Sequence, residues 1–240
     1  MTIGIDISEH NGNIDLRSVS PEFVIIRCGY GTHQDKLWKQ NVKKCEELLI
    51  PYGIYWYSYA LTVDGAVNEA KAVNECLKEC KPVLGIWFDM EDGDYYKKKN
   101  SFDFGKIPQL VNAFRSHVDF DSSQVGVYTS KSWLKYLGAY DGPLWVAEWG
   151  TNDGTVQRDY SGTHNVYMLQ FTSKYKGRNL DGDVLYMRFD KGKLKDLAYM
   201  VIDTLDGMYG NGDERKKRLG SYYNDVQEII NTYVGKGYSL

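Results

Sequence analysis

Short apolar runs separated by longer amphipathic stretches recur along roughly the first 190 residues, and this alternation is what most limits the fold. Eight runs have the length of strands: Ile3–Ser8, Phe23–Gly29, Tyr52–Tyr59, Val83–Asp89, Val125–Tyr128, Leu144–Trp149, Val166–Phe171 and Val184–Phe189. Helical patterns fill the early gaps, at about Leu37–Leu49, Ala66–Glu79, Pro108–Val118 and Ser132–Leu137. Trp38, Val42, Cys45 and Leu49 recur at helical spacing, as do Val67, Ala70, Val73, Asn74 and Leu77. Strand, helix, strand in repetition means parallel strands joined by crossovers. About eight strands in so short a stretch favour a closed barrel over an open sheet. The later connections are short, and Asp153-Gly154 and Ser161-Gly162 read as turns, so the last three strands are expected to form antiparallel hairpins. The predicted fold is α/β, an incomplete TIM-like (β/α)5β3 barrel.

The texture changes after Phe189. Asp190-Lys191-Gly192-Lys193 is a charged, glycine-containing link. Three helix-sized pieces follow: Lys195–Leu205, Asn211–Leu219 with Asn211 as N-cap and Gly220 as stop, and Asn224–Val234 with Val226, Ile229, Ile230 and Tyr233 on one face. The predicted division is a barrel over 1–191 and, over 192–240, a linker and small three-helix C-terminal unit. A unit that small is near the limit of independent stability.

Composition removes several classes of function. A net charge of −3 gives no broad basic face, so no nucleic-acid partner is expected. No apolar run approaches the length of a membrane span, so no membrane insertion is expected. The segment Met1–Asp6 has neither a basic nor an apolar signal region, so the expectation is synthesis in a cytoplasm without a signal peptide and, for any action outside, exit by another route. Cys28, Cys45, Cys76 and Cys80 are too sparse for a disulfide framework and are expected to be reduced. His10, His33, His117 and His164 lack metal-ligand spacing and no GxSxG elbow occurs, so neither a metal nor any cofactor is expected. The aromatic content is high, with 6 Trp, 20 Tyr and 8 Phe, which suits a large packed core or a surface for sugars.

Candidate chemistry sits where apolar runs end in acids. In a parallel barrel the reactive groups lie at the C-terminal ends of strands. Ile3, Ile5 and Ile7 share one face of the first run, and Asp6 points the other way. The fourth run ends Trp87-Phe88-Asp89-Met90-Glu91, with Trp87, Asp89 and Glu91 on one face if the strand continues that far. Crowding of two carboxyls beside an aromatic ring raises one pKa, which suits a general acid. Glu91, the outer residue, is the natural acid, and Asp89 is expected to stay ionised. Tyr55, Tyr57 and Tyr59 share a face of the third run, with Tyr55 expected in the core and Trp87 expected at the cleft. Arg27 ends an apolar run, and Asp6 or Asp89 would suit it as a partner.

Together these segments resemble glycoside hydrolase family 25, the Chalaropsis-type muramidases. The resemblance rests on Gly4-Ile5-Asp6-Ile7-Ser8, Phe23–Gly31, Gly53–Tyr59, Phe88-Asp89-Met90-Glu91, Gly126–Ser130, Leu144–Ala147 and Leu169-Gln170-Phe171-Thr172-Ser173, in the family's order. It implies cleavage of the β-1,4 bond between N-acetylmuramic acid and N-acetylglucosamine in peptidoglycan. The family's acid falls on Glu91 and its supporting acids on Asp6 and Asp89. Its fourth acid, in a Val-Asp-Leu-Asn motif, falls on Leu180-Asp181-Gly182-Asp183. Asp181 is chosen, with Asp183 as the alternative because it replaces the motif's Asn. Tyr57, Tyr59, Tyr128, Arg27, Gln170 and Asp183 are the expected substrate contacts. The resemblance also implies a net-retaining route in which the substrate's acetamido oxygen is the nucleophile, while an inverting route stays open.

The tail resembles the choline-independent cell-wall-binding repeat of phage lysozymes, over Gly207–Leu219 and Tyr222–Asn231. Its candidate contacts are Tyr209, Asn211 and Arg215, with self-association supplying avidity to a single copy. The reading is a phage-type endolysin. A bacterial autolysin of the same chemistry and a catalytically inactive wall-binding module are the alternatives.

Overall fold

The computed structural model of the chain describes residues 2–186, 197–205 and 207–234. In chain order its strands are β1 (Thr2–Ile7), β2 (Val24–Tyr30), β3 (His33–Gln34), β4 (Tyr52–Tyr57), β5 (Ile86–Asp89), β6 (Val125–Ser130), β7 (Leu144–Ala147), β8 (Val166–Thr172) and β9 (Asp181–Leu185). Its α-helices are α1 (Leu16–Val19), α2 (Trp38–Glu47), α3 (Val63–Leu77), α4 (Tyr96–Lys99), α5 (Ile107–His117), α6 (Leu197–Leu205), α7 (Gly212–Leu219) and α8 (Tyr223–Val234). The sheet runs β1-β9-β8-β7-β6-β5-β4-β2, and β1 pairs with β2 to close the ring; β3 adds a two-residue hairpin to β2.

The closed α/β barrel matches the expectation, but the strand directions need a correction. β7 pairs parallel with both β6 and β8, so among the strands of the closed ring only β9 is reversed, against β8 and β1. Residues 148–165 carry the chain back along the barrel without an α-helix, so a helix-free connection did not require a hairpin. The last strand also starts earlier than expected, which puts Asp181 and Asp183 inside it. Phe189, the link Asp190–Lys193, the boundary at 191/192 and Lys195 lie outside the described residues.

Alternation along the strands builds two apolar layers. Outward residues such as Ile5, Ile26, Ile54, Trp56, Ile86, Phe88 and Val127 are buried beneath the helices. Helix α3 offers Ala66, Ala70, Val73 and Cys76 on one face, and the Thr62 hydroxyl caps it by accepting from the Gly65 amide. In α5, Pro108 sits in the first turn where no amide proton is needed, and Phe114 stacks on Phe88 with centroids 4.0 Å apart. Inward residues Ile25, Tyr55, Trp87, Tyr128, Trp145, Met168 and Leu185 form a second cluster with Phe23 and Leu84. Two glycines make room for it: a Cβ on Gly4 would lie 2.5 Å from the Phe23 ring, and one on Gly126 2.4 Å from Trp87. All four cysteines are free and buried.

The C-terminal helices have their own core of Val201, Leu219, Val226 and Ile230. Gly220 ends α7 at φ 55°, where a glycine is favoured. Asn211 holds the N-cap position of α7 with extended backbone, but its side chain does not cap the helix; Oδ1 accepts from Arg215 Nη2 at 3.0 Å instead. Among the described residues no helix is long and apolar enough to cross a membrane.

Candidate active site

The inward residues change from apolar to charged toward the C-terminal ends of the parallel strands. A cleft of about 680 Å³ opens there. Asp6, Asp89, Glu91 and Asp181 all line it, together with Arg27, Tyr57, Tyr59, Tyr128 and Gln170. Each reaches it from a different place. Asp6 is on β1 and Asp181 is its cross-strand neighbour on β9, while Asp89 lies beside Tyr57 and Tyr128 in register.

β5 stops at Asp89, so Glu91 stands in the loop beyond it. That loop remains tied to β6: the Met90 amide donates to the Tyr128 carbonyl at 2.9 Å, and the Thr129 hydroxyl donates to the Met90 carbonyl at 2.7 Å. Trp87 is fully buried and belongs to the floor, not to the cleft wall as expected. Its side chain is one strand step deeper than Asp89, and the indole N–H donates to the Leu84 carbonyl at 2.9 Å. Tyr55 is buried, as expected, with its ring edge-on to Trp145.

Gln170 organises the opposite wall. Its Nε2 donates to Asp6 Oδ2 at 2.8 Å, and its Oε1 accepts from Tyr128 OH at 3.0 Å and from Trp149 Nε1 at 2.9 Å. These partners fix which end of the amide faces Asp6. Trp149 lies beyond β7, is 38% exposed and lines the cleft. Asp183 is not on the wall. It is completely buried below it, accepts from Trp145 Nε1 at 2.8 Å and touches the Asp6 carboxyl. Two carboxyls in such contact need a proton between them.

Arg27 does not pair with Asp6 or Asp89. Its Nε donates to Asp35 Oδ2 at 2.8 Å and its Nη2 lies 3.5 Å from Glu9 Oε1, with the guanidinium over the Tyr30 ring. The β2–β3 hairpin is the cause, because it turns Asp35 back alongside Arg27.

The electrostatics separate the acids. Burial raises the Glu91 carboxyl to about 7; Lys97 opposes this and Asp181 adds to it. Burial raises Asp181 to about 6. Asp6 is pushed well up by burial, then by Asp181 and Asp183, against the Gln170 hydrogen bond. Asp89 is also pushed well up by burial and then by Glu91, so the expectation that it simply stays ionised is corrected; Lys97 and Arg27 pull the other way. The physical reason is depth, since Asp89 is 4% exposed.

Several neighbours of the site carried no signal in the sequence. Lys97 is 1% exposed, although it is the first of three consecutive lysines. Glu69 is buried on α3 and binds the Ser58 hydroxyl and the Tyr59 amide. His10, Glu9 and Asp94 line the rim. Among the described residues no group of three or more His, Cys, Asp or Glu side chains is arranged to hold a metal ion. In the tail, Arg215 Nε donates to the Gly210 carbonyl at 3.1 Å, and Tyr209 packs on the helical core under the Arg218 guanidinium. A groove on α8 lined by Tyr223, Asn224, Gln227, Glu228, Asn231 and Thr232 contains none of the three expected tail contacts.

Comparison with known proteins places this arrangement. Residues 196–234 match the CW_7 repeat. A lysozyme of Streptococcus phage Cp-7 is 28% identical over 97 residues, which cover 39% of this chain and 28% of that protein. The modular autolysin LytC of Streptococcus pneumoniae, solved with a synthetic peptidoglycan ligand, superimposes with TM-score 0.63 at 26% identity, over 77% of this chain and 46% of that one. The catalytic domain of an endolysin from bacteriophage P40 of Listeria monocytogenes shares the fold, with TM-score 0.59 at 20% identity, over 77% of this chain and 93% of that one. This chain thus spans less than half the length of the phage lysozyme and of the autolysin. Residues 5–180 match Glycosyl hydrolases family 25, and the chain belongs to that family.

Proposed function

We propose that the chain is an endolysin-type N-acetylmuramidase that hydrolyses the β-1,4 bond between N-acetylmuramic acid and N-acetylglucosamine in bacterial peptidoglycan. The observation that carries this reading is the meeting of Glu91, Asp89, Asp6 and Asp181 in one cleft at the strand ends. Glu91 holds a proton because burial disfavours its charge, and it delivers that proton to the glycosidic oxygen as the bond to C1 breaks. The substrate's 2-acetamido oxygen attacks C1 and forms a cyclic oxazolinium ion. Asp181 accepts a hydrogen bond from the acetamido N–H and steadies the positive charge. Water then opens the ring at C1, giving its proton to Glu91. Asp6 and Asp89 support these two groups from beneath, with Asp183 and Gln170 orienting Asp6. Tyr57, Tyr59 and Tyr128 supply hydroxyls and ring faces to the sugars.

In this reading 1–191 is the catalytic barrel and 192–240 a wall-binding unit with Tyr209, Asn211 and Arg215 as contacts. Arg215 acts there first by bracing the loop at 210–211. A single repeat gains avidity by self-association on the wall. The relation to a phage lysozyme supports action on the cell wall from an infecting phage. Mass spectrometry of digested peptidoglycan tests the bond assigned: reducing-end muramic acid is expected, and reducing-end glucosamine or free peptide stems would refute it.

The acids also dictate a pH profile. Activity needs Asp181 ionised and Glu91 protonated, so it rises with pH through about 6 and falls through about 7. The bell reports the coupled pair, not isolated residues. Initial rates on soluble glycan chains are expected to peak between those values. A plateau that extends unchanged well above pH 8 would contradict the role of Glu91.

A further inference from the structure

Lys97 is only 1% exposed, and a buried ammonium group is costly unless it is fully engaged. Lys97 does not solve this with a direct ion pair. Its Nζ donates to two main-chain carbonyls, of Ser58 and of Glu91, the latter at 2.9 Å, and it lies 5.9 Å from the centroid of the Tyr57 ring. Ser58 follows β4, and Glu91 follows β5. One ammonium thus ties together the exits of two neighbouring strands directly under the cleft.

The segment carrying Lys97 is built to hold it there. The Asp92 carboxylate accepts the amides of Lys97 at 2.6 Å and Lys98 at 3.0 Å, which anchors α4 against the Glu91 loop. Tyr95, just before α4, takes a left-handed backbone at φ 61°, which a residue with a side chain rarely adopts. On the other side, Glu69 from α3 accepts from the Ser58 hydroxyl at 2.7 Å and the Tyr59 amide at 2.8 Å.

We propose that Lys97 is a positioning residue for the reaction: it fixes the main chain of Glu91 against the end of β4, and its buried charge sets the upper pH limit of activity. The inference rests on Glu91 as the acid. The charged groups around it are accounted for. Asp89 on β5, Glu69 on α3, and Glu91 and Asp92 in the loop all act on the ammonium, whose own burial pulls its affinity for a proton down. Lys97 in turn lowers Glu91 and Asp94. Arg27 acts on Asp89, and Tyr57 and Tyr128 face both Asp89 and Glu91. Asp181 is raised by its burial, and Lys97 is not among the causes. Removing the charge therefore moves one limb of the bell and spares the other.

The experiment is a set of pH–rate profiles on soluble glycan chains for the parent, Lys97→Met, Lys97→Arg and Glu91→Gln. Lys97→Met is expected to move the alkaline limb up by about one pH unit, leave the acid limb in place and lower kcat about tenfold with little change in KM. Lys97→Arg keeps the charge in a larger group, so kcat falls but the alkaline limb stays. Unmoved limbs in Lys97→Met, or equal movement of both, would overturn the proposal, because a merely structural lysine has no reason to move one limb. If Lys97→Met lacks the parent's near-ultraviolet circular dichroism, the same limbs are read in Lys97→Gln, which retains a donor for the two carbonyls. Unfolding of both neutral variants counts against the proposal. Substantial activity in Glu91→Gln rejects the acid assignment itself; an inactive Glu91→Gln beside an unmoved Lys97→Met rejects only the role given to Lys97.

Discussion

Glu91→Gln is expected to lower the rate of peptidoglycan hydrolysis by about 10² to 10⁴ while the barrel remains folded. The amide is nearly isosteric with the acid but has no proton to give to the departing oxygen. Stability should hold, and the sign follows from linkage. Burial raises the Glu91 carboxyl to about 7, above its ordinary value, so this group's contribution to stability is fully present below the ordinary range and is lost as pH rises through about 7. At pH 8 the parent carries that cost and the neutral amide does not. The melting temperature of Glu91→Gln at pH 8 is therefore expected to equal or exceed the parent's. Release of reducing ends, measured beside thermal unfolding by circular dichroism, checks both halves. Near-normal hydrolysis in a folded variant would remove Glu91 from the acid's place.

Trp87→Ala is expected to give the largest loss of stability, about 3–5 kcal/mol, and on the order of 10 °C in melting temperature for a chain of this size. The indole is wholly buried, 6.0 Å between centroids from Trp145, and fills the space that the missing side chain of Gly126 leaves open. Few neighbours can collapse into the void, because the surrounding strands are locked in a closed ring. The same change opens the floor beneath Asp89, so water reaches a carboxyl that burial now keeps protonated more easily than usual. Trp87→Phe keeps most of the ring and loses the hydrogen bond to the Leu84 carbonyl, and should fall between the two. Urea unfolding of the three proteins with similar m-values gives the comparison. A loss below 1 kcal/mol for the alanine variant would show that the floor repacks.

Much of this architecture was legible because a barrel strand buried on both faces writes an unbroken apolar run, and acids at the end of such a run are conspicuous. Ile86–Asp89 followed by Glu91 shows this best. Alternation also put Asp6 inside and Ile5 outside. What alternation does not encode is height along the barrel axis. Trp87 and Asp89 share a face, yet one is floor and the other wall. Nor does it encode direction, so β7 and β8 could not be told from hairpins. Partners brought together by tertiary turns were equally silent: Asp35 reaches Arg27 through a hairpin strand of two residues, too short to leave a pattern. Lys97 opens a run of three lysines, and only the fold makes it unlike the two that follow.

The reversal of β9 has an architectural consequence. In a barrel made wholly of parallel strands, the last strand would run toward the mouth and deliver the rest of the chain into the working rim. Here Asp181 enters at the mouth and Leu185 leaves opposite Thr2, at the closed end. Thr2 and Leu185 therefore stand side by side at the end of the barrel opposite the cleft, so the first and last described strands begin and finish at one place.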